Sequence, residues 1–288
     1  MVTRDATFGM QVSQDFRLAS FTCRVANRTA ADTINSDSLA QLIDRLLDGW
    51  VQFVGDDGAG LSDWNGRTEA QVATIMTLTA HVHSTAMILR SALPAALTIA
   101  HMPLVRSIFE STITVAWCDE VADGANALIN EGSRQRRNLR DSLARTHSMT
   151  EMSTKISVGV GSPSTSSDQQ ARRIEDRCAD IALDGAYAFY RMLSGMSHAS
   201  IDIIDAYLDG DSFRPGEPMS VKSNPGTLSS SFSWTRMIAC CLVWSGMVTN
   251  YLDQARTRRN DLRRIARTLG VAPEIAVKFR ANQPGRRR

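Results

Sequence analysis

Scarcity marks this chain before abundance does. Aromatic side chains supply only 6% of its residues, and with Ala, Leu, Ile and Met plentiful that balance leans towards helix. The five cysteines, Cys23, Cys118, Cys178, Cys240 and Cys241, are scattered and show no CxxC spacing. Neither a zinc knuckle nor a disulfide framework is indicated, and reduced, mostly buried thiols in a cytoplasm fit best. The N-terminal stretch has early acidic residues and no apolar core, so it does not read as a secretory leader. The most apolar run, Met237 to Val248, is shorter than the ~18 residues a spanning helix needs. A soluble, cytoplasmic protein without membrane contact is the expectation.

Missing motifs remove several chemistries. No period of 20–50 residues is visible, which argues against a solenoid. The GVGSPS run (159–164) lacks the lysine of a P-loop and a preceding strand. No ExxH falls on a helix, which disfavours a di-iron carboxylate bundle. A Ser–His hydrolase would need a strand–elbow–helix context that is absent. His81 and His83 would stand 200° apart on a helix and cannot chelate one metal together; His83 is expected as a hydrogen-bonded core histidine. No metal and no cofactor is expected.

What remains is a chain with 43% hydrophobic residues, enough for a real core. Its charge is unevenly spread. Residues 251–288 carry a net +8, leaving −6 on the preceding 250. A basic end on an acidic body suggests contact with RNA or another polyanion, with Arg258, Arg259, Arg263, Arg264 and Arg267 as its nucleic-acid-binding candidates. The plainer reading is a solvated Arg-rich terminus.

Helical periodicity recurs along the chain. Helices are expected near Ser38–Val54, Thr68–Ala92, Pro94–Glu120, Ala125–His147, Gln169–Leu183, Ala186–Leu208 and Ser231–Thr268. Pro103 should either kink the third or mark its true start. The fourth is strongly basic (Arg134, Arg136, Arg137, Arg140, Arg145) and reads as a solvated outer helix or a phosphate-facing surface. Residues 149–170 read as a mobile loop, and 209–228 as a turn-rich stretch with room for a small hairpin. The fold expected is all-α, a bundle of six or seven helices with a long loop and a basic C-terminal helix and tail. Residues 1–35 form a poorly defined arm, 36–270 a single helical-bundle domain, and 271–288 a flexible basic tail.

Two helices carry chemistry. Pro94–Glu120 is apolar on nearly every side, so it should be buried. Arg106 and Glu110 nevertheless sit in the row of Ile99, Ile113 and Trp117. Charges there must be paired. They are either an internal salt bridge that fixes helix docking or a pocket in which Arg106 binds an anion and Glu110 works as acid or base. On Ala186–Leu208, Tyr190, Ser194, His198 and Asp202 follow at intervals of four, a polar ladder able to orient His198 as a general acid/base. Tyr190, Ser194 and Asp202 would contact substrate.

RSIFE (Arg106 to Glu110), the basic helix after it, and YRMLSGMSH (Tyr190 to His198) resemble a family of uncharacterised helical proteins of bacteria and phages. The likeness covers about Leu39 to Leu252. A more distant similarity is to HEPN domains, helical bundles found in toxin and abortive-infection ribonucleases, whose signature is Arg, four to six residues, then His. Arg191 and His198 match at the six-residue limit, although Met192 stands where a polar residue is usual. The resemblance implies metal-free RNA cleavage in phage–host conflict, with His198 as acid/base for 2′-OH attack and Arg191 stabilising the phosphorane. A homodimer would bring two such pairs together. The alternative is a non-catalytic scaffold, or a module binding nucleic acid or a partner, in which an Arg–Glu–His cluster is purely structural.

Overall fold

A computed structural model describes residues 34–55, 64, 66–159, 161–208, 220–253, 255–276 and 278. Most of the expected N-terminal arm, with Cys23, and the end of the basic tail lie outside the described residues, as do residues 209–219.

Local rules set the first two helices. α1 (Ser36–Val54) starts where the Asn35 side chain accepts from the Ser38 N–H at 2.8 Å. It buries Leu39, Ile43, Leu46, Leu47 and Trp50, the stripe its period announces. α2 (Glu69–Leu89) begins with a capping box between Thr68 and Gln71. It is long and apolar enough to cross a membrane by length and composition alone. Here its buried residues, among them Val72, Ile75, Val82 and Ala86, belong to the packed core.

The third helix is shorter than its pattern suggested. α3 spans Met102–Glu120 with Pro103 in its first turn, because a proline ring in mid-helix would strike the carbonyl four residues back. Pro94 and Leu97 precede it in irregular chain, and Ile99–His101 form a 3-10 turn. This segment is tied down elsewhere: the Leu97 N–H donates to Ser231 Oγ at 2.6 Å, and the Leu228 N–H donates to the Leu97 carbonyl at 2.8 Å. Every residue from Thr112 to Asp119 is buried. α3 packs against α2 and four further helices introduced below, so it is central, as the apolar wheel implied.

α4 (Gly124–Arg145) follows after a sharp turn. A Cβ on Gly124 would lie 3.1 Å from the Trp117 ring, so glycine lets the two helices meet. Residues 149–170 are not a bare loop. They include α5 (Thr150–Thr154) and the start of α6 (Asp168–Arg172), and the stretch between is tied back. Ser166 and Ser167 donate to Asp123, and Asn130 donates to the Pro163 carbonyl and to Asp168. α7 (Ile174–Asp180) is parted from α6 by an extended Arg173.

The expected helix over 186–208 is two helices. α8 (Ala186–Gly195) ends, five residues follow, and α9 (Ile201–Tyr207) begins. The long final helix also divides, into α10 (Ser231–Leu252) and α11 (Arg259–Leu269). Asp253 makes that break, its carboxylate accepting from the N–H groups of Ala255 and Thr257, groups a continuing helix would have bonded along its own backbone. Gly270 closes α11 in the left-handed conformation, a position glycine occupies without strain. A single antiparallel bridge joins Leu208 and Val221, while most of the stretch expected to hold a small hairpin lies outside the described residues.

The fold is all-α, with no strand among the described residues. It has eleven α-helices there rather than six or seven. The difference comes from three divided helices and one short helix inside the presumed loop.

Candidate functional site

Arg106 is the hub of the polar cluster. It stands one turn into α3, on the side facing α8, with its side chain 16% exposed. Nε donates to Glu110 Oε1 at 2.8 Å and Nη2 donates to the Tyr190 hydroxyl at 3.0 Å. Nη1 contacts His198 Nε2. The guanidinium also lies 5.1 Å from the Tyr190 ring centre, within cation–π range. A guanidinium only donates, so in this contact His198 Nε2 is the acceptor.

Ile99 is buried in the 3-10 turn that leads into α3, whereas Arg106 and Glu110 are both partly exposed. The charges therefore sit at the rim of the core. Glu110 is 35% exposed and His198 is exposed. Exposure of this kind allows a ligand to reach groups that the protein already orients.

Three residues of the polar ladder take other places. Because α8 stops at Gly195, His198 leaves the helix and swings to Arg106. Ser194 does not join the hub; its carbonyl accepts from the N–H groups of Ser197 and His198, and so shapes the turn. Asp202 sits in the first turn of α9, against Gly195, where an added Cβ would collide with its carboxylate. Arg191 is exposed on α8. Thus Arg106, Glu110, Tyr190 and His198 come together, while Arg191, Ser194 and Asp202 surround them without entering the hydrogen-bonded group.

Sequence reasoning missed Arg177, on α7. Nη1 donates to Thr114 Oγ1, which donates to the Glu110 carbonyl at 2.7 Å. Burial pushes the Arg177 pKa down, against favourable fields from Cys118, Glu110 and Tyr190 among others. Its Nε is buried and has no hydrogen-bond partner, and the same is true of Ser197 Oγ beside His198. Two arginines and one glutamate leave the cluster with an excess of positive charge and unused donors, a setting for an anion. The one signal of Arg177 in the sequence was its place next to Cys178 on an amphipathic segment. Its partner lies 63 residues away.

The basic C-terminal candidates are largely engaged. Arg258 is inserted over Trp50 and Phe53, 5.7 and 5.3 Å from the ring centres, and desolvation pulls its pKa down to about 10. Arg263 faces Glu274 at 3.6 Å and Arg264 meets Asp261 at 2.5 Å. Arg259 is half-buried, with its Nε unbonded. Arg267 alone of the five is exposed without an acidic partner among the described residues.

His83 is the core histidine expected. It is fully buried, stacks on Trp50 at 4.4 Å and donates from Nδ1 to the Thr79 carbonyl at 2.9 Å. Desolvation lowers its pKa to about 3. Among the described residues no three His, Cys, Asp or Glu side chains cluster as metal ligands would. Compared with protein-family models, curated proteins and solved structures, the chain matches none.

Proposed function

We propose that this chain is a HEPN-like, RNA-acting protein whose centre is the Arg106–Glu110–Tyr190–His198 cluster, backed by Arg177. The observation that carries the reading is the convergence of these groups at a solvent-accessible rim rather than in a sealed core. An RNA phosphate entering there would draw the Arg106 guanidinium onto its oxygens and release the His198 lone pair. His198 then takes the 2′-OH proton, the 2′-oxygen attacks the adjacent phosphorus, and the bond to the 5′-oxygen breaks. The leaving oxygen takes a proton from solvent water at the exposed rim, which gives a 2′,3′-cyclic phosphate and a 5′-OH end. Arg106 and Arg177 would meet the charge that builds on the phosphorane. The resemblance gave that task to Arg191; its exposed position outside the cluster favours Arg106 instead.

A structural clamp is the second reading, favoured by the three protein partners that Arg106 already has. Cleavage of labelled single-stranded RNA distinguishes the two. His198→Ala and Arg106→Gln should each slow cleavage by about 100-fold or more with unchanged circular dichroism, whereas Arg191→Gln should cost far less. Equal activity in the folded His198→Ala protein, or no cleavage by the unaltered chain, would leave the clamp.

A further inference from the structure

We propose that the exposed C-terminal half of α4 is the surface along which an RNA strand docks through its phosphates. This rests on the RNA-acting reading above. Two helices of this chain carry runs of arginine, and the fold treats them oppositely. On α11 and just before it, aromatic rings or carboxylates occupy Arg258, Arg263 and Arg264. On α4, residues 135–142 are all exposed. There Arg136 and Arg137 have no acidic partner among the described residues, and Arg140 has only its chain neighbour Asp141, at 3.6 Å.

Beside this run lies a cleft of about 250 Å³, between α4 and the segment that leads into α6. Arg134, Arg137 and Arg172 line it, with the side chains of Asn130, Ser162 and Ser164. Its carboxylates are already spoken for. Glu131 accepts from both Arg134 and Gln135, and those hydrogen bonds, Arg134's first, hold it below the usual carboxylate range. Asp168 accepts from Asn130, Ser164 and Thr165. Arg137 therefore lines a polar hollow whose two carboxylates are held by other donors, and phosphate and ribose oxygens suit such walls. A membrane surface fits less well, because an interfacial helix needs an apolar face and Leu139 is the only large apolar residue in the exposed run.

The surface is also separate from the catalytic cluster. It shares no residue with the group formed by Arg106, Glu110, Tyr190 and His198, whose hydrogen bonds run among themselves. Docking and cleavage can thus be altered independently.

The test is fluorescence anisotropy of a labelled single-stranded RNA over a salt series, using the full chain. Arg136→Gln/Arg137→Gln/Arg140→Gln should weaken binding at least about tenfold and lower the slope of log K against log salt by about two, near 0.7 per lost contact. Hydrogen exchange on the unaltered protein gives a second measurement, with RNA protecting residues 134–145. Unchanged affinity and no such protection would overturn the proposal. So would binding lost through Arg264→Gln/Arg267→Gln in its place. RNA bound through α4 but not cleaved sinks the ribonuclease reading and leaves this one, whereas cleavage indifferent to the α4 arginines does the reverse.

Discussion

At the scale of single residues, burial sets the chemistry. His83 is kept neutral by its apolar surroundings, and its folded pKa of about 3 lies below the ordinary 6.5. As pH falls through 6.5 the unfolded chain takes a proton that the folded chain refuses. The stability this residue contributes is thus present above 6.5 and lost as the solution is acidified. Relative to His83→Phe, the unaltered protein should lose about 2 kcal/mol more between pH 7 and pH 5, read from urea unfolding at the two pH values. Parallel losses would mean that His83 is not the group responsible. Arg106 makes a different point. Its planar fork serves Glu110, Tyr190 and His198 at once, which a lysine cannot imitate. Arg106→Lys should keep the Glu110 pair but release His198, visible as narrowed and shifted imidazole resonances. An unmoved His198 signal would show that the histidine is held by its own turn.

At the scale of elements, the junction of α8 and α9 decides what the site contains. Gly195 leaves room for the Asp202 carboxylate, and Ser200 Oγ donates to the Gly195 carbonyl. Gly195→Ala should therefore push Asp202 aside, cost about 1–3 kcal/mol and loosen the turn that carries His198. Asp202→Ala in the same chain should restore much of that loss, since the methyl group then meets no carboxylate. Additive effects in the double variant would remove the contact from the account. The same junction shows where sequence reasoning ran out. Periodicity placed Tyr190 and His198 correctly near each other, but on an unbroken helix that would have put His198 in line with Arg191. A single glycine and a serine hydroxyl bonded to it redirect the chain, and no hydrophobic pattern records that. Asp253 acts likewise between α10 and α11. Helix ends follow shorter-range rules: Gly270 closes α11, and Thr68 with Gln71 boxes the start of α2.

For the molecule as a whole, the apolar pattern fixes an all-α core around α3, and the pairing of Arg106 with Glu110 is legible at a spacing of four. Arg177 was not, because its place depends on Thr114 across a helix interface. Nor was the fate of the arginine runs. Basic residues 251–288 looked like the polyanion surface by count, yet Trp50, Phe53, Asp261 and Glu274 absorb several of them. Arg258 in particular works as a wedge under α1. Arg258→Met should keep most of that packing and stability, whereas Arg258→Ala should lower the melting temperature by several degrees, about 2–4 °C per kcal/mol in a chain of this size. Equal melting temperatures for the two variants would deny the guanidinium stem a packing role.

The hub around Arg106 has a consequence in time. Its partners Tyr190 and His198 follow it by 84 and 92 residues. Until the ribosome has released that stretch, a nascent chain holds Arg106 and Glu110 with nothing to complete them. If the cluster cleaves RNA, the polypeptide being made is harmless to the message and ribosome making it for most of its synthesis, and becomes active only when the late segment docks on α3.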